Sequence, residues 1–354
     1  MKATLLCTSL LLNLAPASAL KQCDDGVVCI QVTPSGTSSG GANTFDCHKV
    51  EGGGDANEIP VLFLHGFPEW SGMYIPLMKF LKEKGGLTSY ACDQRGYSPT
   101  ASPENVEDYN YNVLKQDVLD IATELGHEQF HLVGHDHGAV LGWTVAQESD
   151  RILSYTAMSI PHPDVFSGAL YGPNADKAQQ MASQYFDMFT RENSASINGN
   201  FWYMSLGLTS GRWKEYDDKY TDYGPSDFQK ALWWYNGAQS AGKMAGPPAF
   251  TTTELMKEGQ YSVAFLRGLF GMPDEVDGVE QTSKVGKIDV PVLYVCGKND
   301  PAILCDNEYA YNTENYVTKD YLHLVVECQH DVTSCGGDEQ DKVNEMVWER
   351  IRTA

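Results

Sequence analysis

The chain has 354 residues, of which 25 are Lys or Arg and 47 are Asp or Glu, and its formal net charge at pH 7 is −22. An acidic surface of this strength repels nucleic acid and anionic lipid, which excludes both as expected partners. The length is too great for one minimal domain and too small for three, and it therefore predicts one large core with an insertion.

Residues 1–19 have the composition of a cleaved secretory signal. Lys2 is followed by a leucine-rich stretch from Leu5 to Leu14, and Ala17-Ser18-Ala19 matches the small-residue pattern of a cleavage site. This apolar stretch is too short to span a bilayer, and no longer one follows it in the sequence. We therefore expect a secreted protein without a membrane-spanning segment.

The cysteine count fits an oxidising compartment. Nine cysteines become 9 − 1 = 8 once Cys7 leaves with the signal, and an even number in a secreted chain predicts disulfides. Two close pairs near the C-terminus are candidates for short bridges: Cys296 with Cys305, and Cys328 with Cys335. The sequence does not choose among the pairings, and Cys92, inside an apolar run, is equally compatible with a buried free thiol. No spacing predicts a zinc site.

The first part of the mature chain predicts strands that soon alternate with helices. Val27 to Val32 and Thr44 to Val50, separated by a Gly- and Ser-rich break, predict an antiparallel start to a sheet. The next predicted elements are the strand Pro60 to Leu64, the helix Met73 to Lys84, the strand Leu87 to Cys92, a helix over 114–125, the strand Phe130 to Val133, the helix Gly138 to Gln147 and the strand Leu153 to Ser159. Such alternation predicts a mostly parallel sheet covered on both faces.

The alternation stops near Pro161 and resumes with the strand Pro291 to Val295, the strand Tyr321 to Val326 and the closing helix Glu339 to Ile351. The chain between is crowded with aromatic residues and methionines, which predicts a helical cap inserted into the core. The expected domains are 20–165 for the first part of the core, 166–284 for the cap and 285–354 for the second part of the core.

Most aromatic side chains of this cap are expected to pack within it, while a few line an apolar pocket between cap and core. We expect Trp70, in the core, and Trp234, in the cap, to contact a bound substrate. An aromatic pocket of this kind favours a lipophilic small molecule as the ligand.

The segment Gly134-His135-Asp136-His137-Gly138 directly follows an apolar run and has the pattern of a nucleophile elbow. In such an elbow a strand turns sharply into a helix, and small residues two positions to either side let the central side chain project. Here that side chain is a carboxylate. A carboxylate that attacks a saturated carbon forms an ester, which water can hydrolyse, whereas a serine would form a stable ether. His135 is expected to be a structural histidine.

Three further segments accompany the elbow in a fixed order along the chain. His65-Gly66-Phe67-Pro68 precedes it, Gly297-Lys298-Asn299-Asp300 follows a later buried strand, and Glu327-Cys328-Gln329-His330 follows the next one. Together these segments resemble the α/β-hydrolase family and, within it, the epoxide hydrolases. The resemblance implies an α/β-hydrolase core with a mostly parallel sheet and an inserted helical cap, and an enzyme without a metal ion or an organic cofactor.

The resemblance assigns roles to five residues. Asp136 is the expected nucleophile, His330 is the base that activates water, and Asp300 is the acid that holds His330. The backbone N–H groups of Phe67 and His137 are the expected oxyanion hole. These assignments follow the family's order of nucleophile, acid and histidine along the chain.

Two cap tyrosines and an alternative acid complete the expected site. Tyr185 and Tyr235 match the two phenols with which epoxide hydrolases donate protons to the opening epoxide oxygen. Asp164 is the alternative to Asp300, because some relatives carry this acid after the sixth strand. The side chain of His137, where the family more often has tryptophan, either acts on the substrate or on Asp136, or simply packs.

The expected reaction is the hydrolysis of a lipophilic epoxide to a vicinal diol through an ester on Asp136. A hydrolytic dehalogenase is the first alternative, since it would form the same ester, although His137 in place of tryptophan weakens that interpretation. A non-catalytic small-molecule-binding protein of the same fold is the second. The sequence leaves open the identity of the substrate, the stereochemistry and the oligomeric state.

Overall fold

The computed structural model describes residues 23, 25–35, 43–53, 58–190, 225–240, 252–257, 284–305, 310 and 312–354. The expected signal at residues 1–19 lies outside these ranges. Within them, no helix combines the length and the apolarity that a membrane crossing requires.

In the described part of the chain, eight strands form one sheet. In chain order they are β1 (Val28–Val32), β2 (Phe45–Val50), β3 (Val61–Leu64), β4 (Ser89–Cys92), β5 (Phe130–His135), β6 (Ile152–Met158), β7 (Val292–Gly297) and β8 (Tyr321–Val326). They lie in the order β1-β2-β4-β3-β5-β6-β7-β8, antiparallel at β1–β2 and β2–β4 and parallel elsewhere. The predicted mostly parallel sheet with an antiparallel start is confirmed.

Helices occupy the connections between these strands. The described ones are α1 (Ile75–Gly85), α2 (Tyr111–Glu124), α3 (His137–Glu148), α4 (Pro163–Tyr171), α5 (Lys177–Ala182), α6 (Tyr185–Phe189), α7 (Pro225–Ser240), α8 (Thr252–Lys257) and α9 (Gly337–Arg352), with 3-10 turns at Ser71–Tyr74, Val106–Tyr109, Asn312–Tyr316 and Val332–Ser334. Helices α4 to α8 lie between β6 and β7, where the sequence predicts the cap. The boundaries of that cap at residues 166 and 284 stay predictions.

Local sequence explains where two of the helices begin and end. Asn110 caps α2, because its side-chain oxygen accepts from the backbone N–H groups of Asn112 and Val113. Helix α1 stops at Gly86, whose φ of 70° lies in the left-handed region that glycine adopts without strain. The chain can therefore turn back into β4 directly after the helix.

Side chains of the central strands alternate between two hydrophobic layers. Leu62 and Leu64 of β3 lie in one layer with residues of α2 and α3. Val61 and Phe63 lie in the other layer with residues of α1 and α9. Because helices cover both faces, the loops at the carboxyl ends of the parallel strands are the place where functional side chains can meet.

Four disulfides tie the described chain together. They join Cys23 to Cys29, Cys47 to Cys92, Cys296 to Cys305, and Cys328 to Cys335. The alternative of a free thiol at Cys92 is wrong, because Cys47 of β2 is its register partner across the antiparallel ladder with β4. The two C-terminal bridges match the close pairs in the sequence, and they enclose Asp300 and His330.

Candidate active site

Asp136 lies at a strained turn between β5 and α3. Its φ of 50° is a left-handed conformation that a side chain other than that of glycine rarely adopts. The flanking glycines make the turn feasible: a Cβ at Gly134 would collide with the Gly138 backbone, and a Cβ at Gly138 would collide with the carbonyl oxygen of Leu64. The geometry is that of the nucleophile elbow that the sequence predicts.

Both oxygens of the Asp136 carboxylate have defined partners. The backbone N–H of Phe67 donates to Oδ1 at 2.8 Å, and His330 Nε2 lies 3.2 Å from Oδ2. Gly66 is needed beside them, because a Cβ there would overlap the Asp136 side chain. The carboxylate is only 4% exposed, so its orientation is set by the protein rather than by water.

His330, in the loop after β8, connects Asp136 to a second carboxylate. Its Nδ1 lies 2.6 Å from Asp300 Oδ2. Asp300 Oδ1 accepts from the backbone N–H groups of Ala302 and Ile303, at 2.8 and 3.0 Å. Asp300 is therefore fixed in place and orients the imidazole with its Nε2 toward Asp136.

Asp164, the alternative acid, is used elsewhere in the fold. Its two oxygens accept from the backbone N–H groups of Val285 and Gly286, at 2.7 and 3.1 Å. These bonds tie the start of α4 to the segment that leads into β7. The geometry thus favours Asp300 over Asp164 as the partner of His330.

The charges of this trio support each other. Burial alone would raise the pKa of Asp136, but the hydrogen bond and the charge of His330 hold it below its usual range. Burial alone would lower the pKa of His330, but the charge of Asp300 and the hydrogen bonds to Asp136 and Asp300 raise it well above its ordinary value. At rest the ionised carboxylate of Asp136 therefore lies beside a protonated His330.

Tyr185 on α6 and Tyr235 on α7 both lie within electrostatic reach of Asp136. Burial of each phenol raises its pKa well above the ordinary value, and the charge of Asp136 raises it further. Both hydroxyls are therefore protonated throughout the neutral range and can donate. The Phe189 ring lies between the two tyrosines, with ring centroids 5.2 Å from Tyr185 and 5.0 Å from Tyr235.

The two backbone N–H groups of the expected oxyanion hole have different surroundings. The Phe67 N–H already contacts Asp136, and the Phe67–Pro68 peptide bond is cis. His137 is the first residue of α3, so its N–H has no acceptor within its own helix and lies at the positive end of the helix dipole. Its part in an oxyanion hole stays a prediction.

Trp70 and Trp234, the predicted substrate contacts, are positioned differently. The Trp234 indole is 1% exposed, and its Nε1 donates to the carbonyl oxygen of Arg95 at 2.9 Å. Its ring centroid lies 6.0 Å from that of His137. Trp70 is half-buried and packs over Gly72, where a Cβ would strike the indole. Trp234 thus lies close to His137, and contact of either indole with substrate stays a prediction.

A second buried cluster, which the sequence analysis does not identify, lies behind His330. The carbonyl oxygen of His330 accepts from His135 Nε2 at 2.9 Å and from Ser159 Oγ at 2.5 Å. His135 Nδ1 forms an ion pair with Glu69 Oε2 at 2.5 Å. Burial would lower the pKa of His135, but Glu69 raises it to about 9. His135 thus holds the main chain at His330, which is a structural role, and the sequence signal for its partner is Glu69, directly after the H-G-x-P segment.

The spacing of the side chains in this cluster is that of an ion pair rather than of a zinc site. Glu69, His135 and Asp331 offer ligand atoms within 4.8 Å of one another. Ligands around tetrahedral zinc stand roughly 3.3 Å apart, whereas the His135–Glu69 contact of 2.5 Å is that of a direct ion pair. The two other groups of potential ligands among the described residues each contain two disulfide-bonded cysteines, which do not offer thiolates.

Comparison with known proteins assigns the chain to a family. A family model described as the alpha/beta hydrolase fold matches residues 59–333. The chain belongs to the α/β-hydrolase family. The match extends from just before β3 to just beyond His330, and so it includes the elbow, Asp300 and His330.

Curated relatives of this α/β hydrolase include proteins named as epoxide hydrolases. Epoxide hydrolase 3 of Xenopus tropicalis is 34% identical over 144 residues, which span 40% of this chain and 37% of the relative. Epoxide hydrolase 4 of Homo sapiens is 25% identical over 301 residues, or 83% of this chain and 73% of the relative. The match to the Xenopus protein therefore spans well under half of that relative's own length.

Solved structures show the same fold. A Bacillus megaterium epoxide hydrolase in complex with an inhibitor superposes with a TM-score of 0.62 and 22% sequence identity, covering 91% of this chain and 100% of that one. The predicted α/β-hydrolase fold is confirmed.

Proposed function

We propose that this α/β hydrolase is an epoxide hydrolase that forms a covalent ester on Asp136. The observation that carries the proposal is a buried, ionised aspartate at the centre of the elbow, within reach of two protonated phenols and of a His–Asp pair. The names of the relatives support the same reaction. The substrate is a lipophilic epoxide, because the rings of Phe67, Phe186 and Phe189 surround Tyr235.

The first step is the attack of Asp136 on a ring carbon of the epoxide. Since the Phe67 N–H holds Oδ1, Oδ2 forms the new bond to carbon. The carbon–oxygen bond of the strained ring breaks, and its electron pair stays on the ring oxygen. That oxygen takes a proton from Tyr185 or Tyr235, which gives a hydroxyalkyl ester and a phenolate.

Ester formation prepares His330 for the second step. The ester removes the negative charge of Asp136, which is one of the causes of the raised pKa of His330. The pKa of His330 therefore falls, and the imidazolium releases its proton as the phenolate recovers one. The neutral His330, still held by Asp300, can now act as a base.

The second step is hydrolysis of the ester. His330 takes a proton from water, whose oxygen attacks the Asp136 carbonyl carbon, and the N–H groups of Phe67 and His137 hold the charge that develops on Oδ1. The diol oxygen leaves with the proton of His330. The new carboxylic acid then returns its proton to His330, so that the carboxylate retains one oxygen from water.

Two further points follow from the sequence and the disulfides. The dehalogenase alternative is disfavoured, because phenols suit a departing alkoxide, while the indole N–H typical of a halide site is replaced by His137.

We also propose that the protein is secreted, since residues 1–19 match a secretory signal and four disulfides join the described chain.

The proposal is tested with His330→Gln protein incubated with styrene oxide, 1,2-epoxyoctane and 1-bromohexane. Blocking the base should trap the ester, so the intact mass should rise by the mass of the epoxide, at Asp136. Wild type should release diol and Asp136→Asn should not, while Asp150→Asn, at an exposed aspartate, should behave as wild type. Halide release from the bromide would support a dehalogenase, and ligand binding without any product would support a binding protein.

A further inference from the structure

The His137 imidazole lies between the proposed nucleophile and the helix that carries a proposed acid. It directly follows Asp136 and is 1% exposed. Its ring centroid is 3.8 Å from that of Tyr235 on α7, in an edge-on arrangement. A polar side chain at this position is buried inside the site rather than in the remote core.

One ring nitrogen of His137 has a fixed role. The Tyr111 hydroxyl lies 3.3 Å from Nδ1, and among the described residues it has no other hydrogen-bond partner. Since a buried phenol O–H needs an acceptor, Tyr111 donates and Nδ1 accepts. Burial lowers the pKa of His137 to about 4, so the ring is neutral near pH 7. Its single proton is therefore on Nε2.

The other ring nitrogen is left without an acceptor. Nε2 is buried and has no hydrogen-bond partner among the described residues. The two Asp136 oxygens are held by the Phe67 N–H and by His330. A buried N–H donor without an acceptor is unfavourable, and its persistence beside a reactive group calls for an explanation.

We propose that His137 is a specificity-determining residue whose Nε2–H donates to a hydrogen-bond acceptor on the substrate, close to the epoxide ring. The inference rests on the proposed function and narrows its substrate class. In the proposed mechanism the ring oxygen itself accepts from Tyr185 and Tyr235. The acceptor for His137 is therefore a second oxygen, such as an ether, carbonyl or hydroxyl oxygen on the neighbouring carbon. The preferred substrates are thus oxygen-bearing lipophilic epoxides rather than hydrocarbon epoxides.

The test uses two epoxides that differ in one atom. Phenyl glycidyl ether has an ether oxygen where 4-phenyl-1,2-epoxybutane has a methylene group. The quantity measured is the ratio of kcat/KM for the ether to kcat/KM for the methylene compound. Because the intrinsic reactivity of each epoxide is the same for every enzyme, a change in this ratio between variants reports the contact alone.

We expect the ratio in wild type to exceed that in His137→Phe by about tenfold, the contribution of one neutral hydrogen bond. His137→Gln, which keeps a donor, should retain part of the preference. Tyr111→Phe keeps the imidazole but removes the hydrogen bond to Nδ1, and the ratio should fall. This variant serves as the test if His137→Phe does not fold. Circular dichroism checks the fold of each variant.

An equal ratio in wild type and in the folded variants overturns the inference. That result, with both rates lowered by the same factor, would mean that His137 only positions Tyr235. It would leave the proposed function intact, because wild type would still turn over both epoxides. If wild type hydrolyses neither epoxide, nor styrene oxide or 1,2-epoxyoctane, the proposed function itself fails.

Discussion

His135 donates from Nε2 to the backbone carbonyl of His330 at 2.9 Å. The residue next to the proposed nucleophile thus holds the main chain of the proposed base, while Glu69 holds its other nitrogen. A buried ion pair thus lies directly behind the loop that carries the proposed base.

The His135–Glu69 pair should make stability depend on alkaline pH. The pKa of His135 is raised from 6.5 to about 9 in the folded protein, so its contribution is complete below about pH 6.5 and is lost as the pH rises through about 9. Burial also raises the pKa of Glu69, which offsets part of the stabilisation by His135. The net loss of unfolding free energy is on the order of 2 kcal/mol. Denaturant unfolding at pH 7 and pH 10 measures it.

Glu69→Gln should remove most of this alkaline dependence. The matched control is His131→Gln, also on β5, because burial lowers the pKa of His131 to about 4 and its charge plays no part at alkaline pH. An unchanged difference between the two pH values in Glu69→Gln would show that His135 does not titrate with Glu69.

Asp300→Asn should slow hydrolysis of the ester more than its formation. Without the carboxylate at 2.6 Å from Nδ1, the pKa of His330 falls and its orientation is lost, and a reduction in kcat on the order of 10³–10⁴-fold is expected. Quenched-flow experiments should show that the ester accumulates. Asp164→Asn is the comparison, and accumulation there instead would identify Asp164 as the acid.

The two cap phenols should share the donation to the epoxide oxygen. Tyr185→Phe or Tyr235→Phe should lower the rate of ester formation by about 10–10²-fold, and the double variant by roughly 10³-fold or more. Tyr90→Phe, whose hydroxyl contacts His127, should be unaffected. A double variant with wild-type rates of ester formation would remove the phenols from the mechanism.

The Cys328–Cys335 bridge closes the loop that contains His330. Replacing both cysteines by serine should cost roughly 2–3 kcal/mol of unfolding free energy and also lower kcat, because the loop positions the base. The control is the Cys23–Cys29 bridge, which closes a loop of similar length far from these residues in sequence. Loss of the Cys23–Cys29 bridge should reduce stability and leave kcat unchanged. If loss of either bridge lowered kcat equally, the Cys328–Cys335 bridge would not position His330.

The parts of the site that the sequence predicts are contiguous motifs at the ends of strands. Asp136, Asp300 and His330 lie in the loops that follow β5, β7 and β8, and in a parallel sheet these ends meet at one edge. Their convergence therefore follows from the alternation of strands and helices, without knowledge of any single contact.

The contacts that the sequence does not reveal depend on pairing between distant segments. Cys92 is read locally as an apolar strand residue, and only the β2–β4 register places Cys47 opposite it. His135 has the pattern of an ordinary strand residue. Its contacts with Glu69 and with the carbonyl oxygen of His330 form only in the tertiary structure, because these residues are distant from it in sequence.

The most direct test of the account is a single turnover in water enriched in oxygen-18, with enzyme in excess over epoxide. If Asp136 carries the substrate and water attacks its carbonyl carbon, one heavy oxygen should be found in the peptide that contains Asp136, and the first diol should contain none. Heavy oxygen in the diol alone, with an unlabelled Asp136, would mean that water opens the epoxide directly and would contradict the ester mechanism.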